Sequence, residues 1–178
     1  MSLTQELVIA GFGGQGVLFA GKVVAYSGML SGKEVSWLPS YGPEMRGGTA
    51  NCHIIVSDNP VGSPIITNPN VLIAMNRPSL DKFENTVVSG GIIIVDSSLI
   101  DRKATREDVK VFYIPASQMA LDMNAAKLAN MIIIGKMLRE SGMMTYDELK
   151  EGIRKSVPSS KAELFDLNMK AIDLGYNA

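Results

Sequence analysis

The chain has 178 residues, with 17 Lys and Arg against 18 Asp and Glu, one His and one Cys. A chain of that size forms one domain that buries roughly 70% of its unfolded surface. A net charge of −1 leaves no basic footprint for nucleic acid, and the lone Cys52 excludes an internal disulfide or a cysteine-held zinc or iron–sulfur cluster.

No apolar run approaches the ~18 residues that span a bilayer. Met1 to Glu6 has no basic n-region, so a secretory signal is not expected. These features predict a soluble, cytoplasmic single domain over residues 1–178, with no membrane or nucleic-acid partner. At 46% hydrophobic with 11 Met, the chain is apolar enough to suggest buried surface beyond its own core.

Glu6 to Ala10 is a short apolar run ending in glycines and reads as a buried strand. Gln15 to Leu30, with Val17, Leu18, Val24 and Ala25 and no proline, reads as a helix that Gly32 stops. Val35 to Leu38 is a second strand, which completes a strand–helix–strand unit of parallel-crossover length. Pro39 to Thr49 is a loop, and Ala50 to Val56 a strand followed by a turn at Asp58-Asn59-Pro60. Gly62 to Asn70 is irregular.

Val71 to Met75 and Ile92 to Val95 are continuous apolar runs, the pattern of strands buried on both faces. Ser79 to Phe83 is a helical turn or two between them, and Val111 to Ile114 is the last strand. After Pro115 the chain reads as helical. Thr145 with Glu148, and Ser160 with Glu163, each fit a capping box, and Gly142 is placed to end a helix. Strands alternating with helices, then helices alone, predict a three-layer α/β/α sandwich with a mostly parallel or mixed sheet.

Ala125 to Leu138 is apolar nearly all the way round, broken only by Lys127, Asn130 and Lys136. Such a helix is buried on all sides. Two burials fit: a central core helix, or one face on the sheet and the other on a partner subunit. The second predicts a subunit interface.

Gly11-Phe12-Gly13-Gly14-Gln15-Gly16 fits G-x-G-x-x-G between a strand and a helix. Glycines allow a tight turn, and a helix start offers free amides and partial positive charge to a phosphate. A dinucleotide fold also wants an acid ending the second strand. That strand runs out as Trp37-Leu38-Pro39-Ser40, and Glu34 is at its wrong end. The motif therefore supports anion or backbone contact and argues against ordinary dinucleotide binding. The competing explanation is a glycine turn used for close packing alone.

The second loop, Ser40 to Thr49, reads SYGPEMRGGT. It joins the first loop at the carboxyl ends of the strands, where open α/β sheets collect ligands. Arg46 offers a planar cation suited to phosphate or carboxylate, Tyr41 a ring and a hydroxyl, and Gly47-Gly48 close backbone approach. Glu44 and Arg46 as a solvated pair is the alternative. Cys52 and His53 adjoin on one strand and point to opposite faces, so they read as packing residues rather than a dyad.

Gly11 to Val17, as GFGGQGV, with Trp37 to Asn51, as WLPSYGPEMRGGTAN, resembles the gamma subunits of the 2-oxoacid:ferredoxin oxidoreductases. The resemblance covers most of the chain and includes Ser57-Asp58, Asn76 to Leu80, Gly90-Gly91 and Asn168 to Ala171. The form PEMRGG at Pro43 to Gly48 is nearer the 2-oxoglutarate-type branch than the pyruvate branch. The indolepyruvate branch is more distant.

The resemblance implies distributed chemistry. The complex decarboxylates a 2-oxoacid, first of all 2-oxoglutarate, to an acyl-coenzyme A and reduces ferredoxin. Thiamine diphosphate and iron–sulfur clusters belong to alpha, beta and ferredoxin-like delta partners. The gamma part serves assembly and offers a coenzyme A contact, so the isolated chain is expected to be inactive, with no catalytic residue and no metal. The expected contact residues are Gly11, Gly13, Gly14, Gln15, Gly16, Tyr41, Arg46, Gly47 and Gly48. Two alternatives stand beside this: a free-standing Rossmann-like dinucleotide oxidoreductase, and a pure interaction subunit.

Overall fold

A computed structural model of the chain describes residues 3–41 and 49–178. Arg46, Gly47, Gly48 and the side chain of Tyr41 lie outside the described residues. Among the described residues six strands form one sheet: β1 (Thr4–Phe12), β2 (Glu34–Tyr41), β3 (Thr49–Ser57), β4 (Val71–Ala74), β5 (Ile92–Asp96) and β6 (Lys110–Ile114). The α-helices are α1 (Val17–Leu30), α2 (Arg77–Phe83), α3 (Ala116–Asp122), α4 (Ala129–Ser141), α5 (Tyr146–Ser156) and α6 (Ala162–Tyr176).

The sheet order is β2-β3-β1-β4-β5-β6. Strands β1, β4, β5 and β6 pair in parallel, while β3 runs antiparallel to both β1 and β2. The expected mixed α/β sheet is thus present. The expected crossover is also present, since β1 and β2 point the same way, but β3 is inserted between them.

Strand β2 is longer than the apolar run Val35 to Leu38 because it extends through Pro39 to Tyr41. A proline is tolerated there because β2 is an edge strand, where its missing N–H breaks no ladder bond. The expected loop from Pro39 therefore starts later. The continuous apolar runs in β4 and β5 do lie in the buried middle of the sheet.

One face of the sheet carries a deep helical layer. Helices α1 and α4 lie on the strands, α5 packs on α1, and α6 packs on α4. The other face is covered more thinly, by Leu80 of α2 and by Ile66 and Ile100 from irregular segments, over Val8, Ala10, Leu72 and Ile93.

Helix ends follow local chemistry. Gly32, at φ 75°, donates to the Met29 carbonyl and Lys33 donates to that of Gly28, which closes α1 with a left-handed glycine. Gly142 ends α4 at φ 59°. Thr145 and Glu148 form the expected capping box on α5. Ser160 does not cap α6. That helix starts one residue late for it, with Lys161 in the cap position and no side-chain cap, because a turn from Pro158 to Lys161 intervenes.

The interface expected along Ala125 to Leu138 is not what its apolar surface serves. A short 3-10 turn occupies Ala126–Leu128, and α4 then runs from Ala129. Met131 to Ile134 and Met137 are fully enclosed by their own chain. The sheet lies on one side, α6 on the other, and α1 and α3 on the flanks. The helix is apolar all round because four surroundings of one chain bury it. Outward apolar side chains occur instead at the end of α1, where Met29 and Leu30 are half exposed.

Candidate functional site

Strand β1 ends at Phe12 and the chain turns through Gly13, Gly14 and Gln15 into α1. Gly14 has φ 94° and Gly16 has φ 74°, both in the left-handed region that favours glycine. Those two residues delay the helix to Val17, two positions after the sequence expectation. Gly13 and Gly14 are exposed, while Gly11 is buried in β1. A β-carbon on Gly11 would stand 3.0 Å from Val17 and 3.1 Å from Met75. Gln15 is bonded at both ends of its amide: its Oε1 accepts the Phe12 N–H at 2.6 Å, and its Nε2 donates to the Met75 carbonyl at 3.0 Å.

Other strand ends on this edge serve their own helix starts. Asn76 Oδ1 accepts the Ser79 N–H at 2.9 Å and caps α2. Asp96 is buried at the end of β5 and accepts from Ser98 N, Ser117 N and Ser117 Oγ, the last at 2.6 Å. Among the described residues, helix α1 has no side-chain cap. The amides of its first turn, at Val17, Leu18 and Phe19, have no partner within the helix. Their partial positive charge faces the carboxyl edge.

The second loop is anchored at the same edge. In register, Tyr41 pairs with Ala50, which pairs with Gly11, and Thr49 pairs with Phe12. The ends of the segment from Gly42 to Gly48 thus flank the glycine turn, although that segment lies outside the described residues. The inserted β3 also separates β2 from β1 by two strand spacings, about 10 Å. An acid at the end of β2 would be a strand too far for the ribose beside the turn. That geometry, with no acid there, disfavours a dinucleotide site.

Cys52 and His53 point to opposite faces, as their adjacency requires. Cys52 is fully buried against α1, its thiol 3.5 Å from the Val17 carbonyl, and burial pushes its pKa up to about 12. His53 Nδ1 accepts the Ile66 N–H at 3.1 Å, tying down the segment over the second face. Burial, then the charge of Lys82, lowers its pKa. Native protein should not react with thiol reagents at neutral pH, whereas unfolded chain should. Rapid labelling of the native state would contradict the burial. A single inert thiol cannot supply a cluster's ligands, and among the described residues no group of three His, Cys, Asp or Glu side chains is placed to hold a metal. Among them, too, no helix is long and apolar enough to cross a membrane.

Sequence reasoning missed Asn130, which reaches the glycine turn from α4, its Nδ2 donating to the Gly16 carbonyl at 3.1 Å. The available signal was a polar residue interrupting an otherwise apolar helix.

The pyruvate ferredoxin/flavodoxin oxidoreductase family pattern matches residues 6–178, the glycine turn and both anchors of the second loop included. The chain belongs to that family. It is 38% identical over 169 residues to the ketoisovalerate oxidoreductase subunit VorA of Methanothermobacter marburgensis, covering 94% of this chain and 35% of that one. The chain thus spans about a third of the length of that curated relative. It is 32% identical over 170 residues to the 2-oxoglutarate synthase subunit KorC of Methanothermobacter thermautotrophicus, covering 92% of this chain and 90% of that subunit. Among solved structures, the keto/oxoacid ferredoxin oxidoreductase gamma subunit from Geobacter sulfurreducens matches with a TM-score of 0.85 at 27% identity, covering 98% and 95% of the two chains. These family relatives carry names from both the ketoisovalerate and the 2-oxoglutarate groups.

Proposed function

We propose that the chain is the gamma-type, non-catalytic subunit of a cytoplasmic 2-oxoacid:ferredoxin oxidoreductase, and that its carboxyl edge contacts coenzyme A. The family match over residues 6–178 supports the first part. The uncapped start of α1, beside the anchors of the Arg46 loop, supports the second. The complex as a whole oxidatively decarboxylates a 2-oxoacid, 2-oxoglutarate being the substrate favoured by the PEMRGG sequence, and passes electrons to ferredoxin. Thiamine diphosphate and the clusters sit on alpha, beta and delta partners.

This chain's share is electrostatic and positional. Gly13, Gly14 and Gly16 let a phosphate approach the backbone closely, and the first-turn amides of α1 donate to it. Arg46 supplies the full positive charge that the helix start lacks, with Tyr41, Gly47 and Gly48 shaping the approach. Gly11 and Gln15 frame the turn from beneath.

A charge-assisted hydrogen bond contributes roughly 1.5–3 kcal/mol. Replacing Arg46 by Ala should therefore raise the KM for coenzyme A in the assembled enzyme on the order of tenfold or more. Arg46→Lys should rescue only in part, because a point charge lacks the planar fork. An unchanged KM together with a loss of complex mass would instead place Arg46 on a partner's carboxylate and leave the chain a pure assembly subunit.

A further inference from the structure

Two side-chain amides hold the glycine turn from opposite sides. From the sheet side, Gln15 links the end of β1 to the end of β4 through Phe12 N and Met75 O. From the helical side, Asn130 is 3% exposed and has both ends of its amide in use. Its Oδ1 accepts the Met131 N–H at 2.9 Å, one of the amides that the start of α4 leaves free. Its Nδ2 donates to the Gly16 carbonyl across 114 residues of chain. That same carbonyl closes the first turn of α1 by accepting the Ala20 N–H at 3.0 Å.

One side chain thus ties the first turn of α4 to the first turn of α1. The fit is close, since a β-carbon on Gly16 would overlap the Asn130 amide nitrogen and stand 3.0 Å from its Cγ. The Gly16 peptide is held in a left-handed conformation that few other residues adopt.

We propose that Asn130, with Gln15, is a positioning residue for the coenzyme A contact, fixing the Gly16 peptide so that the amides of Val17, Leu18 and Phe19 point one way before the ligand arrives. This rests on the coenzyme A reading above. Each side chain commits one amide N–H and its oxygen to the turn and the elements around it, so their effect passes through the backbone they hold. A site held in its binding conformation loses less freedom on binding. Removing the brace weakens the contact and leaves the chemistry, which is on partner chains, as it was.

The test uses the complete complex carrying Asn130→Leu, close in volume but without the donor. The KM for coenzyme A should rise about fivefold, the factor a single lost hydrogen bond carries, with kcat at saturating coenzyme A and complex mass unchanged. A purely structural Asn130 would lower the melting temperature and leave that KM alone, which would overturn the proposal. Arg46→Ala in the same assay separates the two levels. If it raises the KM while Asn130→Leu does not, positioning fails and the coenzyme A reading survives. If neither moves the KM, both fail. Should Asn130→Leu not assemble, Gln15→Met frees the same turn from the sheet side and reads the same quantity, with an unchanged KM again overturning the proposal.

Discussion

Gly175→Ala should destabilise the chain by about 3 kcal/mol or more, at the top of the range for overpacking a core. Helices α4 and α6 meet backbone to backbone. A β-carbon on Gly175 would overlap the Ile132 carbonyl oxygen and stand 2.7 Å from its carbon. Gly135 faces the same problem from the other helix, with the Ile172 carbonyl oxygen in the way and Tyr176 N at 2.9 Å. These obstacles are main-chain atoms, so no rotamer change relieves them, and the two helices must move apart. Separation would also strip packing from Ile132 and Ile172, both fully buried. A loss of that size lowers the melting temperature of a domain this long on the order of 10 °C. Calorimetry on Gly175→Ala and Gly135→Ala checks it, and shifts within experimental error would show that the helices do not approach this closely. Because Asn130 rides on α4, displacing that helix should also loosen the glycine turn at its far end.

Arg102→Ala should cost about 3 kcal/mol, for a different reason. Glu84 is 5% exposed, and Arg102 reaches it through Nη2 at 2.8 Å and Nη1 at 3.3 Å while Nε holds Asp81 at 2.7 Å. Removing the guanidinium leaves a buried carboxylate with the Thr105 N–H, at 3.2 Å, as its nearest remaining donor. Breaking one half of a buried pair is expensive, whereas replacing both halves by apolar groups can be nearly neutral. The double variant Arg102→Met, Glu84→Leu should therefore be more stable than Arg102→Ala alone. Denaturant unfolding of the single and double variants decides it. Equal losses would mean that Arg102 acts by packing rather than by its charge. The network matters to the fold because it ties the irregular segment after β5, which brings Ile100 onto the thinner face of the sheet, to α2 and the turn after it.

Much of the architecture could be read in the sequence because it rests on local chemistry. Apolar runs marked β4 and β5, Gly32 and Gly142 marked helix ends, and Thr145 with Glu148 marked the start of α5. What could not be read depends on tertiary neighbours. The insertion of β3 between β1 and β2 leaves no trace in either strand. The same apolar surface on α4 could be covered by a partner or by α6, and only the packing shows that α6 covers it. Ser160 and Glu163 have the spacing of a capping box, but the turn before α6 puts Lys161 in the cap position.

At the candidate site the glycine turn and its place on the sheet edge were legible, because left-handed backbone favours glycine wherever the chain folds. The brace was not. Asn130 acts across 114 residues, and a lone polar residue in an apolar helix does not announce its partner. Gln15, inside the motif, reads as a contact, and its bonds to Phe12 and Met75 were not legible there.

The proposed role, a subunit that serves a complex and has no turnover of its own, can be tested directly. The direct measurement is viologen reduction by the purified chain with 2-oxoglutarate, thiamine diphosphate and coenzyme A, alone and then with alpha, beta and delta subunits added. The chain alone should give no reduction, and the reconstituted complex should give coenzyme A-dependent reduction that falls away when this chain is left out. Robust reduction by the isolated chain, or full coenzyme A-dependent activity of the partners without it, would rule out the subunit role.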